Sequence, residues 1–172
     1  ISFVWLWKTS GNTGTTRCIS GVTYYNQSDT FLNELLARFK EQLKNPEHEE
    51  LEATVTILDA AGSQRTQDDQ VKELIDMGCD VLCVNLVDRA DPSEIIDLAR
   101  DHDVPIIFFN REPVEEDLRQ WDELYYVGAE AKQSGVMQGE LAAEVIQKNT
   151  QIDKNRDGKI QYVVLEGEAG HQ

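Results

Sequence analysis

The chain has no CxxC pair and no Cys/His spacing of the metal-ligating kind, and its cysteines are odd in number: Cys18, Cys79 and Cys83. Both facts argue against a zinc site and against a disulfide framework. Cys79 and Cys83 flank an apolar run and read as small core residues. No run of 18 apolar residues is present, so no helix is long and apolar enough to cross a bilayer. Basic residues are scarce: 16 Lys and Arg against 32 Asp and Glu leave a formal charge of −16. That balance supplies no general positive field for nucleic acid or an anionic membrane, and it leaves neutral or cationic ligands open. No Walker loop is found and no GxGxxG follows the first predicted strand, so nucleotide phosphate is not indicated. No Ser/His/Asp or Cys/His constellation is found either, and the chain reads as a binding module and not as an enzyme.

What is present is regular alternation. Ile19 to Tyr25 is β-branched and aromatic and predicts a strand. From Asp29, apolar residues fall at Phe31, Leu32, Leu35, Leu36, Phe39 and Leu43, one face of a helix stopped by Asn45-Pro46. Further strands are predicted at Ala53 to Leu58, Val81 to Val87, Val104 to Phe109, Tyr125 to Val127 and Gln161 to Leu165. Helices are predicted at Asp69 to Met77, Pro92 to His102 and Ala129 to Asn149. Short connections between such elements mean an α/β, doubly wound parallel sheet with helices on both faces. Ligands of such sheets bind in the crevice at the carboxyl ends of the strands.

Those ends carry Asn26 to Phe31, Asp59 to Ser63, Asp88 to Asp91 and Asn110 to Pro113. A sugar needs this chemistry. A carboxylate such as Asp29 accepts from hydroxyls, and an amide such as Asn110 both donates and accepts. An aromatic such as Phe31 covers the C–H face of the ring. Each residue also has an ordinary explanation: Asp29 as the cap of the following helix, Phe31 as core, Asn110 as a turn residue before Pro113.

A second pattern lies further on. In Asp153-Lys-Asn155-Arg-Asp157-Gly158-Lys159-Ile-Gln161, oxygen-bearing residues occupy loop positions 1, 3, 5 and 9, glycine position 6, and Lys159 offers its carbonyl at position 7. This is the spacing of a calcium loop. The bidentate Glu expected at position 12 is replaced by Val164. Either the last ligand comes from elsewhere or the segment is an Asx-rich turn.

Both ends read as unfinished. Residues 1–17 begin with Ile1, not Met, and read as a leader remnant or an unrelated segment; the chain stops at Gly170-His171-Gln172, right after an apolar run, as a piece of a longer protein would.

Several motifs, in the same order, resemble the periplasmic galactose/glucose-binding proteins. They are Gly21-Val-Thr-Tyr-Tyr25 with Asp29-Thr-Phe31, Val84 to Asp88, Val104 to Pro113, Tyr125 to Gly128, Ser134 to Gly139, the calcium loop, and Leu165 to His171. The resemblance implies a Rossmann-like lobe of a type I periplasmic binding protein, residues 18–128, followed by the first helix, calcium loop and strand of a truncated second lobe, residues 129–172. It implies a hexose ligand, an exported protein that is periplasmic or attached to the cell surface, and docking on the membrane subunits of an ABC transporter or on a chemoreceptor. In its terms Asp29, Phe31, Asn110 and His171 contact the sugar, and Asp153, Asn155, Asp157, Lys159 and Gln161 ligate structural calcium. Arg111 stands where this family often has Lys. The second-lobe Asp and Arg, the second stacking aromatic, the remaining metal ligand and the return hinge strands would follow Gln172. With half the sugar donors absent, the 172 residues alone are expected to bind hexose weakly and to associate through exposed apolar surface. The alternative is the effector domain of a sugar-responsive repressor, which shares this fold; residues 1–20 show no helix-turn-helix to support it.

Overall fold

The computed structural model describes residues 16–44, 51–149 and 151–165. The chain divides into two compact units, the first ending at Val127 and the second beginning at Gly128.

The first unit holds β1 (Thr16–Tyr24), α1 (Thr30–Gln42), β2 (Leu51–Asp59), α2 (Gln64–Asp76), β3 (Val81–Val84), α3 (Ser93–Asp101), β4 (Ile106–Phe109), α4 (Glu115–Leu118) and β5 (Leu124–Val127). The strands form one sheet in the order β2-β1-β3-β4-β5, every pair parallel. The chain moves outward from β1 to β2, then crosses back to β3 on the other side of β1. That reversal opens a crevice beyond the carboxyl ends of β1 and β3, where such sheets bind ligands.

Side-chain alternation along β1 assigns the helices to faces. Val22 and Tyr24 point to one side and pack with Leu32 and Leu36 of α1. Gly21 points to the other, where an added Cβ would sit 3.0 Å from three side-chain carbons of Leu74, so α2 lies directly on the sheet. On that second face Val71, Leu74, Ile95, Ile96 and Ala99 from α2 and α3 cover Leu82, Val84, Ile106 and Phe108. Strands covered on both faces are apolar almost continuously, as β3 and β4 are. Cys79 is buried in this core and Cys83 packs on the α1 side; burial pushes the Cys83 thiol up to about 12.

Three expectations are corrected. α2 begins at Gln64, five residues before the predicted Asp69, because Ser63 caps it by accepting from Thr66 N at 3.2 Å and its first two turns are polar. β3 ends at Val84, not Val87, because the Asn85 side chain takes over the bonding there. Gln161 to Leu165 is not a strand. Tyr162, Val163, Val164 and Leu165 are exposed, and a strand needs a neighbour to receive its backbone hydrogen bonds. The described part of the second unit is thus α5 (Ala131–Lys148), capped by Glu130, followed by an irregular segment to residue 165.

Candidate functional site

Asp29 does two things at once. Its Oδ1 accepts from the backbone N of Phe31 at 2.8 Å and of Leu32 at 3.1 Å, which caps α1. Its Oδ2 accepts from the Tyr25 hydroxyl at 2.7 Å. A carboxylate has about four lone-pair sites, so among the described residues three are used and one on Oδ2 is not. Burial pushes the Asp29 carboxyl upward. The hydrogen bonds from Tyr25 and from the Leu32 and Phe31 amides, with the Arg111 charge, outweigh it and hold the group below the usual carboxylate range. It is an anion at neutral pH. The capping explanation and the ligand explanation of Asp29 are therefore compatible.

Phe31 is 60% exposed and is not core. It occupies the first turn of α1, where its own amide is one of the two that Asp29 caps, and its side chain is exposed.

Asn110 follows β4 with a φ of 62°, in the left-handed region that asparagine tolerates better than most residues. Its backbone N donates to Val127 O at 3.0 Å, and its carbonyl accepts from the Tyr126 hydroxyl at 3.2 Å. The backbone is fully engaged, and the side-chain amide makes no hydrogen bond among the described residues. Only β3 lies between β1 and β4, so the ends carrying Asp29 and Asn110 are separated by about two strand spacings, on the order of 10 Å. That is the span of a small ring and its hydroxyls.

The loops carrying these groups are tied by residues that the strand-end search passed over. Asn85, fully buried, accepts from Tyr25 N at 3.4 Å and donates to Phe109 O at 3.0 Å, joining the ends of β1, β3 and β4. Arg111 Nη1 donates to Leu86 O at 3.0 Å and Val87 O at 2.9 Å, and its guanidinium carbon lies 4.3 Å from the centroid of the Tyr25 ring. Gln64, Gln67 and Gln70 repeat every three residues along one face of α2. Gln67 donates to Asn85 O and accepts from Val87 N, both at 2.9 Å. Gln64 accepts from Asp88 N at 2.9 Å, and Gln70 donates to Asp59 O at 2.7 Å. The spacing of the three glutamines was visible in the sequence; their carbonyl and amide partners required the fold.

In the second unit, the predicted metal loop turns on itself. Asp153 accepts from Gly158 N at 2.9 Å and Asp157 from Lys159 N at 2.8 Å. Gly158 takes a φ of 79°, which glycine adopts freely. The side-chain nitrogens of Asn155 and Gln161 each donate to Asp157 Oδ2 at 2.9 Å, so both amides must turn to present oxygen to a cation. The donor set of two carboxylates, two amides and the Lys159 carbonyl is all oxygen and fits a hard cation, at five of the six to eight ligands calcium takes. Val164 adds none, and among the described residues no group of three His, Cys, Asp or Glu is placed to hold a metal. His171 lies outside the described residues.

The five-stranded parallel sheet with its covering helices is that of one lobe of a type I periplasmic binding protein. The chain belongs to the periplasmic binding protein domain family, whose profile matches residues 20–172. It is 36% identical over 153 residues to the D-galactose/methyl-galactoside binding periplasmic protein MglB of Haemophilus influenzae, covering 88% of this chain and 44% of that protein. It is similar to the ABC transporter solute binding protein of Bacillus halodurans C-125 with bound myo-inositol, at a TM-score of 0.61 and 28% identity over 81% of this chain and 45% of that one. A carbohydrate transporter solute binding protein from Chloroflexus aurantiacus in complex with D-glucose shares the fold, at a TM-score of 0.62 and 23% identity over 76% of this chain and 36% of that one. The chain spans less than half the length of these relatives.

Proposed function

We propose that this chain is the first lobe of an extracytoplasmic binding protein that holds a hexose, glucose or galactose, and delivers it to the membrane subunits of an ABC transporter, with a chemoreceptor as a further docking partner. One observation carries the reading. The carboxyl ends of β1 and β4, about two strand spacings apart, carry an anionic Asp29 with one lone pair that no described residue takes, an exposed Phe31 ring, and an Asn110 side-chain amide without a partner among the described residues. The carboxylate takes a hydroxyl in a charge-assisted hydrogen bond, the amide takes a donor–acceptor pair on another, and the aromatic covers the C–H face. The galactose-binding relative, 36% identical, supports the choice of sugar. His171 lies outside the described residues, and its assignment to the sugar rests on the resemblance alone.

Calcium belongs to the same proposal. Asp153, Asn155, Asp157, the Lys159 carbonyl and Gln161 would hold it, and it would brace the irregular loop without taking part in sugar recognition.

The test is calorimetric titration of the whole protein containing this chain with D-glucose, D-galactose and myo-inositol. Saturable binding of at least one hexose, lost in Asp29→Ala, is expected; binding of inositol with no hexose binding would overturn the sugar assignment.

A further inference from the structure

Arg111 reaches Asp29 by an indirect route. Among the described residues it makes no ion pair with Asp29, although its charge helps to hold that carboxyl low. Its Nη1 is shared between the carbonyls of Leu86 and Val87, which fixes the guanidinium at the end of β3. Its guanidinium carbon lies over the Tyr25 ring, 4.3 Å from the centroid. The Tyr25 hydroxyl in turn donates to Asp29 Oδ2, the oxygen that keeps the unused lone pair. A cation over an aromatic face is attracted by the ring's quadrupole and restrains the ring in place.

We propose that Arg111 is a positioning residue of the sugar site, acting through Tyr25. Pinned to the β3 end and lying over the ring, it fixes the hydroxyl on one lone pair of Asp29 Oδ2 and so aims the other at the ligand. The proposal rests on the hexose reading of the site. It makes the Arg at this position a functional difference: lysine can reach a carbonyl or sit over the ring, but it has no planar fork to do both. Arg111 would then set how sharply Asp29 is oriented and would not itself touch the sugar.

The experiment is a double-mutant cycle in the whole protein. Arg111→Lys keeps the charge. Tyr25→Phe keeps the ring under the cation and removes only the hydroxyl. Hexose affinity is measured by calorimetry, and the Asp29 carboxyl is titrated by carbon-13 NMR in the ligand-free proteins. Arg111→Lys is expected to weaken hexose binding about fivefold in the parent and less than twofold in the Tyr25→Phe background. It is also expected to raise the Asp29 titration midpoint in the parent and to leave it unchanged in Tyr25→Phe. An equal loss of affinity in both backgrounds, with the Asp29 midpoint unmoved by Arg111→Lys, would overturn the proposal and leave Arg111 a tether of the β3 end. If the parent binds no hexose, the sugar reading fails separately, and the titration arm alone decides whether Arg111 positions Asp29.

Discussion

The Tyr25 hydroxyl donates to Oδ2 of Asp29 at 2.7 Å while Oδ1 of the same carboxylate caps α1. One side chain thus fixes the start of the first helix and, in the proposed reading, offers its remaining lone pair to the sugar. The helix and the site are coupled through it, and substitutions can separate the two duties.

Asparagine caps helices about as well as aspartate, and alanine does not. Asp29→Asn should keep the unfolding midpoint close to that of the parent but weaken hexose binding by about tenfold or more, through loss of a charge-assisted hydrogen bond. Asp29→Ala should lose the binding and about 1 kcal/mol of stability as well. Thermal unfolding and calorimetry on the two variants distinguish these outcomes.

At Asn110 the backbone and the side chain can be tested apart. Its φ of 62° favours glycine. Asn110→Gly should keep stability and lose about tenfold in hexose affinity, whereas Asn110→Ala should lose both, the stability by about 1 kcal/mol of left-handed strain. Equal affinity in Asn110→Gly and the parent would return Asn110 to the role of a turn residue.

Stability should respond to pH in opposite directions at two places. Asp29 is more acidic folded than unfolded, so its contribution is complete above the ordinary carboxylate value and disappears as pH falls through its lowered value. Asp68 is the reverse. Burial raises it, repulsion from Asp69 and Asp91 adds to that, and the Gln64 hydrogen bond only partly opposes them. Its unfavourable contribution is present above its raised value and is relieved as pH falls through it toward the ordinary one. Asp68→Asn, which can still accept from Gln64, should therefore unfold at a higher temperature than the parent at about pH 7, and the advantage should vanish by about pH 4.

The metal assignment predicts that calcium raises the unfolding midpoint of the whole protein and that Asp153→Ala and Asp157→Ala abolish the rise, because a ligand that binds only the folded state stabilises it by mass action. Differential scanning calorimetry with calcium and with chelator reads this directly. An unchanged midpoint in the parent would make residues 153–161 an Asx-rich turn.

The parallel sheet was legible because β1, β3 and β4 carry short apolar runs between helices with one apolar face. The start of α2 was not, because Gln64 to Gln70 contains no apolar residue and periodicity has nothing to count there. Those same glutamines secure the loops around the site, so the segment that pattern reading misses is the one that organises the crevice. Asp29, Phe31 and Asn110 could be picked out by their position after strands. Tyr25 and Arg111 could not be joined to them, since a hydroxyl–carboxylate bond and a guanidinium over a ring depend on register. The apolar stretch Tyr162 to Leu165 misleads in the other direction: it reads as a strand, but among the described residues no neighbouring strand receives its hydrogen bonds.

The most direct measurement is the change in NMR resonances of the whole protein on adding D-glucose or D-galactose. The account predicts saturable shifts at the Asp29 carboxyl, the Phe31 ring and the Asn110 side-chain amide, all following one binding curve. Saturable hexose binding that leaves these three groups unmoved would contradict it.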